Sequence, residues 1–432
     1  MRRYVLAALV AILPAGAFAQ APEPAAVTQL RGMLGSNVRL DYASATATDV
    51  QGSAALTGVV LTKDAETIRI AEARLEGLRE DGIARLSLRD IQLQGGGVPM
   101  RIGRLDLESL TVRRPPRGQT PKPDALAADL LRIENWQSEG PTPVKIGLVT
   151  VENYGAGRQG QVSVTALEVG ISGGPVDRVT VARMGYSGLD TAEILTAVID
   201  QRPPQAQPGR SSLDIESVAV TRQGQAVARL GSFSMRGELG GSRPPNGSLA
   251  LRGLEVLPAP PHAEWMQRLG YDRLGAEARM EATHDPATQT VDMPDLSIEL
   301  RDVGQIALAF RASHVPENMT PQAAQDIRLI SARLRYADLS LFRRWVRTAA
   351  ARENMGEDAF RQRLVRQANS ALAGPTLTDA RNAMARFLRG EATVLELSAN
   401  PRVPLRMSYV QGKPQTTLAG WQNMFGLSLT AR

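Results

Sequence analysis

Across residues 38–256 apolar and polar residues alternate in short runs, the two-residue period of strands that bury one face and wet the other. Residues 67–75, Thr-Ile-Arg-Ile-Ala-Glu-Ala-Arg-Leu, are a clear case, and residues 83–93 repeat the pattern after the turn Glu80-Asp81-Gly82. The two runs predict a hairpin. One phrase then recurs: an apolar residue, a polar spacer, and alternating apolar positions that end near Gly or Pro. It is carried by Ile102, Leu105, Leu107, Leu110 and Val112, by Ile146, Val149 and Val151, and by Leu213, Ile215, Val218 and Val220. Further copies run through residues 162–171, 176–184, 228–235 and 248–256. Their spacing is irregular, so the pattern predicts a meander of strands and not a strict solenoid repeat.

Other segments break the alternation. Residues 123–136 follow a Pro-rich connector and carry Leu126, Leu130, Leu131 and Ile133, which predicts an amphipathic helix. Asp190 with Glu193 forms a capping box ahead of Ile194, Leu195, Val198 and Ile199. A proline cluster at 258–261 precedes a short helix at 262–269, and residues 274–313 then read as three adjacent antiparallel strands. Beyond Thr320 the period becomes helical. Helices are expected at 322–330, around Phe342, Trp345, Val346 and Ala349, from Phe360 to the Gly374-Pro375 stop, and from Ala380 to Gly390. Strands return at 393–398 and 403–410, and the apolar segment 421–429 closes the chain.

The expected fold class is therefore mainly β (α+β), extended and twisted antiparallel β-meander sheets with a C-terminal helical subdomain. The expected divisions are a leader at 1–19, a first meander region with two short helices at 20–257, a second hairpin region at 258–320, a helical subdomain at 321–390, and strands at 391–432 that rejoin the β region.

The leader supplies the address. Arg2 and Arg3 precede an apolar run from Val5, and Ala17-Phe18-Ala19 ahead of Gln20 is a small-x-small cleavage site, so residues 1–19 read as a secretory signal peptide. Pro14 and Gly16 interrupt the run well short of the roughly 20 residues that a membrane span requires. Cleavage between Ala19 and Gln20 is expected to leave no transmembrane span and 48 basic against 44 acidic residues, a net charge of +4. Cysteine is absent, which removes disulfides and thiol chemistry from an exported chain. The basic excess is mild and is not concentrated anywhere in the β-rich part, and aromatic residues amount to 4%; neither fits a nucleic-acid surface, which concentrates cations and stacks bases on rings.

Candidate chemistry is sparse. Gly155-x-Gly157-x-x-Gly160 matches a dinucleotide fingerprint in form, but Val162-x-Val164 behind it is a strand where that motif needs a helix. His262, His284 and His314 show none of the helical spacings used by metal sites, and no nucleophile elbow is present. No catalytic residue, metal ligand or cofactor is expected. Arginine is dense at Arg343, Arg344, Arg347, Arg352, Arg361, Arg363 and Arg366. There the expectation is an amphipathic helical face docked on the sheets with its arginines in water, the other reading being contact with an anionic membrane surface.

Strings such as Ile102-Gly103-Arg104-Leu105-Asp106-Leu107-Glu108-Ser109-Leu110-Thr111-Val112, repeated behind an export signal, resemble the β-meanders of AsmA-like and YdgA-like envelope proteins. The stretch from Arg386-Phe387-Leu388 to Pro401-Arg402-Val403-Pro404-Leu405 is similar to the C-terminal pattern of uncharacterised exported alphaproteobacterial proteins. The resemblance implies a twisted sheet or groove and an envelope role, and transfers no catalytic residue. The chain departs from the AsmA pattern in lacking a retained anchor. The leading expectation is a non-catalytic component of the Gram-negative periplasm that binds a lipid or hydrophobic ligand on an apolar sheet face. The other is a scaffold with self-packed sheets and an envelope protein partner; a hydrolase is remote. Periodicity alone leaves an open trough and a closed sandwich equally supported.

Overall fold

The computed structural model describes residues 23–34, 38–48, 52–95, 97–113, 122–202, 208–239, 245–316, 321–406, 408–409 and 417–432. The residues expected to form a leader, with Ala17, Ala19 and Gln20, lie outside the described residues. Strands make up 54% of the chain, in antiparallel sheet that does not close, which establishes the mainly β class. Two compact units divide at Gln225/Ala226, one hairpin before the expected boundary at 257/258. The proline cluster at 258–261 marks only an inserted helix, around which the strand ladder continues.

In the first unit two short strands, β1 (Arg39–Asp41) and β2 (Ser44–Ala47), both pair with β3 (Ala54–Lys63). Strands β4 (Glu66–Arg79), β5 (Gly82–Gln94), β6 (Met100–Val112), β7 (Leu126–Ser138), β8 (Val144–Tyr154), β9 (Gly160–Gly170), β10 (Arg178–Leu189) and β11 (Gly209–Arg222) follow, each antiparallel to the one before. Helices α1 (Ala25–Met33) and α2 (Thr191–Ile199) complete the unit. Asp190 caps α2 by accepting the Glu193 amide at 2.9 Å.

The three-residue steps inside the recurring phrase have a structural cause. Ile146 pairs with Leu167 and Leu148 with Thr165, while the ladder skips Gly147 and Ala166 between them without changing register. Ala166 is left-handed there, at φ 53°. The same level holds left-handed Asp90 on β5, Asn135 on β7 and Ser217 on β11, so every second strand carries one. The result is a crease across the sheet. It adds one residue to each strand and returns the apolar side chains to the same face beyond it, turning a spacing of two into three. Gly147 is favoured by closeness: a Cβ built there would lie 3.0 Å from the Cβ of Ala166.

Helix α1 covers the start of this sheet. Its Ala26 and Val27, with Leu34 beyond its end, are buried in one cluster with Leu40, Leu56, Ile70, Leu75, Leu88 and Leu105. A clamp at its N-terminus holds it in place. Glu23 Oε1 accepts from Arg31 Nε at 2.9 Å and from the Tyr42 hydroxyl at 2.8 Å, and the Arg31 guanidinium lies over the Tyr42 ring.

The second unit holds β12 (Gln225–Leu239), β13 (Asn246–Val256), β14 (Leu274–Asp285), β15 (Thr290–Leu300), β16 (Gly304–Ser313), β17 (Arg328–Asp338) and β18 (Val394–Ala399), paired in sequence, with β19 (Leu405–Arg406) on β17 and β20 (Leu427–Ala431) on β18. Its helices are α3 (Ala263–Leu269), α4 (Pro321–Asp326), α5 (Leu341–Arg352), α6 (Glu357–Ala371), α7 (Thr378–Arg389) and α8 (Leu418–Phe425). Helices α3 and α5–α7 all leave and rejoin the sheet at the end marked by the β15–β16 turn, where Val256 faces Leu274, Gly304 faces Asp338 and Ala337 faces Val394.

Several local expectations are corrected. Residues 123–136 form a 3-10 turn, Pro123–Ala125, and then strand β7. Leu126, Ala128, Leu131, Ile133 and Trp136 follow the creased strand phase, and a 2-3-2-3 spacing imitates a helical one. The helix expected at 322–330 ends at Asp326, and β17 occupies residues inside the expected helical subdomain. Within 403–410 only Leu405–Arg406 is strand among the described residues, and 421–429 divides between α8 and β20.

Candidate functional site

Apolar side chains of the second unit line up in rows at right angles to its strands. In one row Met235, Leu249, Met280 and Leu296 face one another across β12 to β15, and Leu308, Leu334, Leu397 and Leu429 continue it over β16, β17, β18 and β20. The neighbouring row runs from Phe233 through Leu251, Ala278, Ile298 and Ile306 to Tyr336. At the usual strand spacing eight strands make a track about 34 Å long. Its side chains are not buried: Met235, Ile298, Ile306, Leu334 and Leu397 are 37–48% exposed. Scattered exposed leucines are ordinary on any protein, but a contiguous apolar run is not.

Helices close one end of this track. Phe387 of α7 meets the ring of Tyr336 at 6.0 Å and that of Phe342 at 5.0 Å, and Ala383 of α7 packs with Leu395 and Leu429. Asp338 fixes the junction by accepting the Tyr336 hydroxyl at 2.8 Å and the Phe342 amide at 2.7 Å. Burial pushes the Tyr336 hydroxyl far above its usual range, and the bond to Asp338 adds to this. Helix α3 is tied in through Tyr271, whose hydroxyl lies 2.9 Å from Ser340 Oγ.

The ends of strands β13–β16 away from these helices are polar. A recess of about 370 Å³ is lined by Asp285, Asp292, Arg311, Asn246 and three threonines. Asp285 is engaged in its own turn, accepting from the Ala287 amide at 3.0 Å and the Thr288 hydroxyl at 2.7 Å. These bonds, the Thr288 one first, hold its carboxyl below the usual range.

The sequence-derived candidates are dispersed. His262 lies exposed at the start of α3, His284 Nε2 is 2.7 Å from the Val315 carbonyl, and His314 sits beside Ser313. Among the described residues no group of three or more His, Asp or Glu is placed to hold a metal ion. Gly155 and Gly157 lie between β8 and β9 and Gly160 begins β9, and the Gly157 amide donates to Asp190 Oδ2 at 2.6 Å. They make a turn that steadies α2. The dense arginines are largely structural: Arg344 donates to the Leu269 and Gly270 carbonyls at the end of α3, Arg361 to Leu388 near the end of α7, while Arg347 pairs with Glu357 and Arg363 with Glu353.

What sequence reasoning missed is β17, and with it Leu334 in the track and Tyr336 at its helix-covered end. The alternation Ala332, Leu334, Tyr336 between arginines was the available signal.

A family profile described only as an uncharacterised protein matches residues 297–432, the part of the second unit that runs from β15 through the helices to the last strand. No curated protein matches the chain.

Proposed function

We propose that this is an exported, non-catalytic component of a Gram-negative envelope that binds a lipid or similar hydrophobic ligand on the apolar sheet face of its second unit. The observation that carries the reading is the track itself, two rows of aligned Leu, Ile, Met and aromatic side chains with exposed members on β12 and β15 to β18. An extended hydrocarbon chain laid along the rows removes apolar surface from water at about 25 cal/mol per Å² and asks for no hydrogen-bond partner. Support for the compartment comes from the leader read at residues 1–19 and from the resemblance to AsmA-like and YdgA-like envelope proteins.

The test is native mass spectrometry with lipid extraction on protein purified from its own envelope. Lipid is expected in stoichiometric amount and is expected to fall away in the double variant Ile298→Glu/Leu334→Glu. A preparation free of lipid that retains a protein partner instead assigns the face to a scaffold role and overturns the reading.

A further inference from the structure

The positive charge of the chain is gathered in one place. Residues 341–391 contain ten arginines against five carboxylates, whereas the other 381 residues contain 40 cationic and 39 acidic side chains. Folding keeps that charge at the surface. Arg344, Arg361, Arg381 and Arg386 donate to the backbone carbonyls of Leu269, Leu388, Leu372 and Ala431, and a neutral carbonyl satisfies the guanidinium hydrogens without cancelling the charge. Arg343, Arg352 and Arg366 point outward and are exposed. The same region of the chain also exposes apolar side chains: Leu339 is 57% exposed and Trp345 42%, and Met355 at the α5–α6 corner is exposed too. Trp345 is held rigidly, stacked on Phe342 at 5.8 Å and edge-on to Phe360 at 5.7 Å.

We propose that the α5–α7 end of the second unit docks on the surface of an anionic phospholipid bilayer. Each half of the chemistry fits that occupant. Basic side chains near an anionic leaflet contribute about 1 kcal/mol each, and a half-exposed Trp sits well at the headgroup level. An acidic protein partner gains from the charge as well, but leaves Leu339, Trp345 and Met355 unexplained without a matching apolar surface. None of the described helices is long and apolar enough to cross a membrane, so the contact is one of surface adsorption. The inference is independent of what the sheet track binds.

Flotation of the full chain with vesicles of phosphatidylglycerol and phosphatidylcholine, against vesicles of phosphatidylcholine alone, tests it. Binding is expected only with phosphatidylglycerol and is expected to weaken steeply with salt. The triple variant Arg343→Glu/Arg352→Glu/Arg366→Glu, on exposed positions, is expected to lower the partition coefficient by about a hundredfold. The matched variant Arg69→Glu/Arg74→Glu/Arg101→Glu, on exposed strand positions of the first unit, is expected to lower it less than about threefold, with circular dichroism confirming that both variants fold. Equal binding to both vesicle types, equal damage from both variants, or no binding at all overturns the proposal. The first of these outcomes leaves the sheet-track reading standing, since apolar extraction of lipid is indifferent to headgroup charge.

Discussion

Strands β3–β6 and strands β12–β18 are built from the same repeated phrase and end in opposite states. Both align apolar side chains in rows across antiparallel strands. In the first, Leu56 and Leu105 are 2% and 1% exposed in a cluster that includes Ala26 and Val27 of α1; in the second, Ile298 and Ile306 are 46% and 48% exposed. Strand pattern therefore sets which face is apolar, and a separate element decides whether that face becomes a core. Nine residues of helix, clamped at Glu23, help make the first region an interior. The helices of the second region are spent at its end, on Tyr336, Leu395 and Leu429.

Truncation at matched positions is the strongest way to break this contrast. Leu105→Ala removes a fully buried side chain and is expected to cost about 2–5 kcal/mol, measured by urea unfolding of the first unit's transition. Ile306→Ala in the open track is expected to cost under about 1 kcal/mol. Equal costs mean that the track is a core after all. Gly147→Val comes next, at about 1–3 kcal/mol, because its side chain must displace Ala166 across the crease. A neutral outcome there shows that the crease yields and is not what holds the rows in phase. Smaller still is the double variant Ile298→Glu/Leu334→Glu, whose unfolding free energy is expected to change by less than about 1 kcal/mol while bound lipid is lost.

The creased phrase also marks how far the sequence could be read. Alternation at Thr67–Ile70 or at Ala276–Ala282 identified strands, hairpins and a mainly β class directly, because a two-residue period has one structural meaning. Leu126, Leu131 and Ile133 misled because a creased strand spaces its apolar residues by two and three, close to the three and four of a helix. Whether the rows lie open was not legible at all. Ile306 and Leu105 both stand in alternating runs, but Leu105 belongs to a buried cluster that α1 joins, and α1 is a segment without strong periodicity.

That makes the clamp on α1 the finest test of the comparison. Burial pushes the Glu23 carboxyl up, but hydrogen bonds from Tyr42 and Arg31 outweigh it and hold the group below its ordinary value of 4.5. A carboxyl with a depressed folded value stabilises the fold above its unfolded value, and the stabilisation is lost as pH falls through the folded one. The pair is partly exposed, so the effect is about 1 kcal/mol at most. Acidification below the usual carboxylate range is therefore expected to loosen α1 before the sheet unfolds, raising the fluorescence of an apolar dye as Leu56 and its neighbours become accessible. Glu23→Gln should bring the same rise at neutral pH and flatten its dependence on acid. If the dye responds identically in both proteins across the titration, the cover is held by Val27 and its apolar contacts alone, and the two regions differ by a helix and not by its clamp.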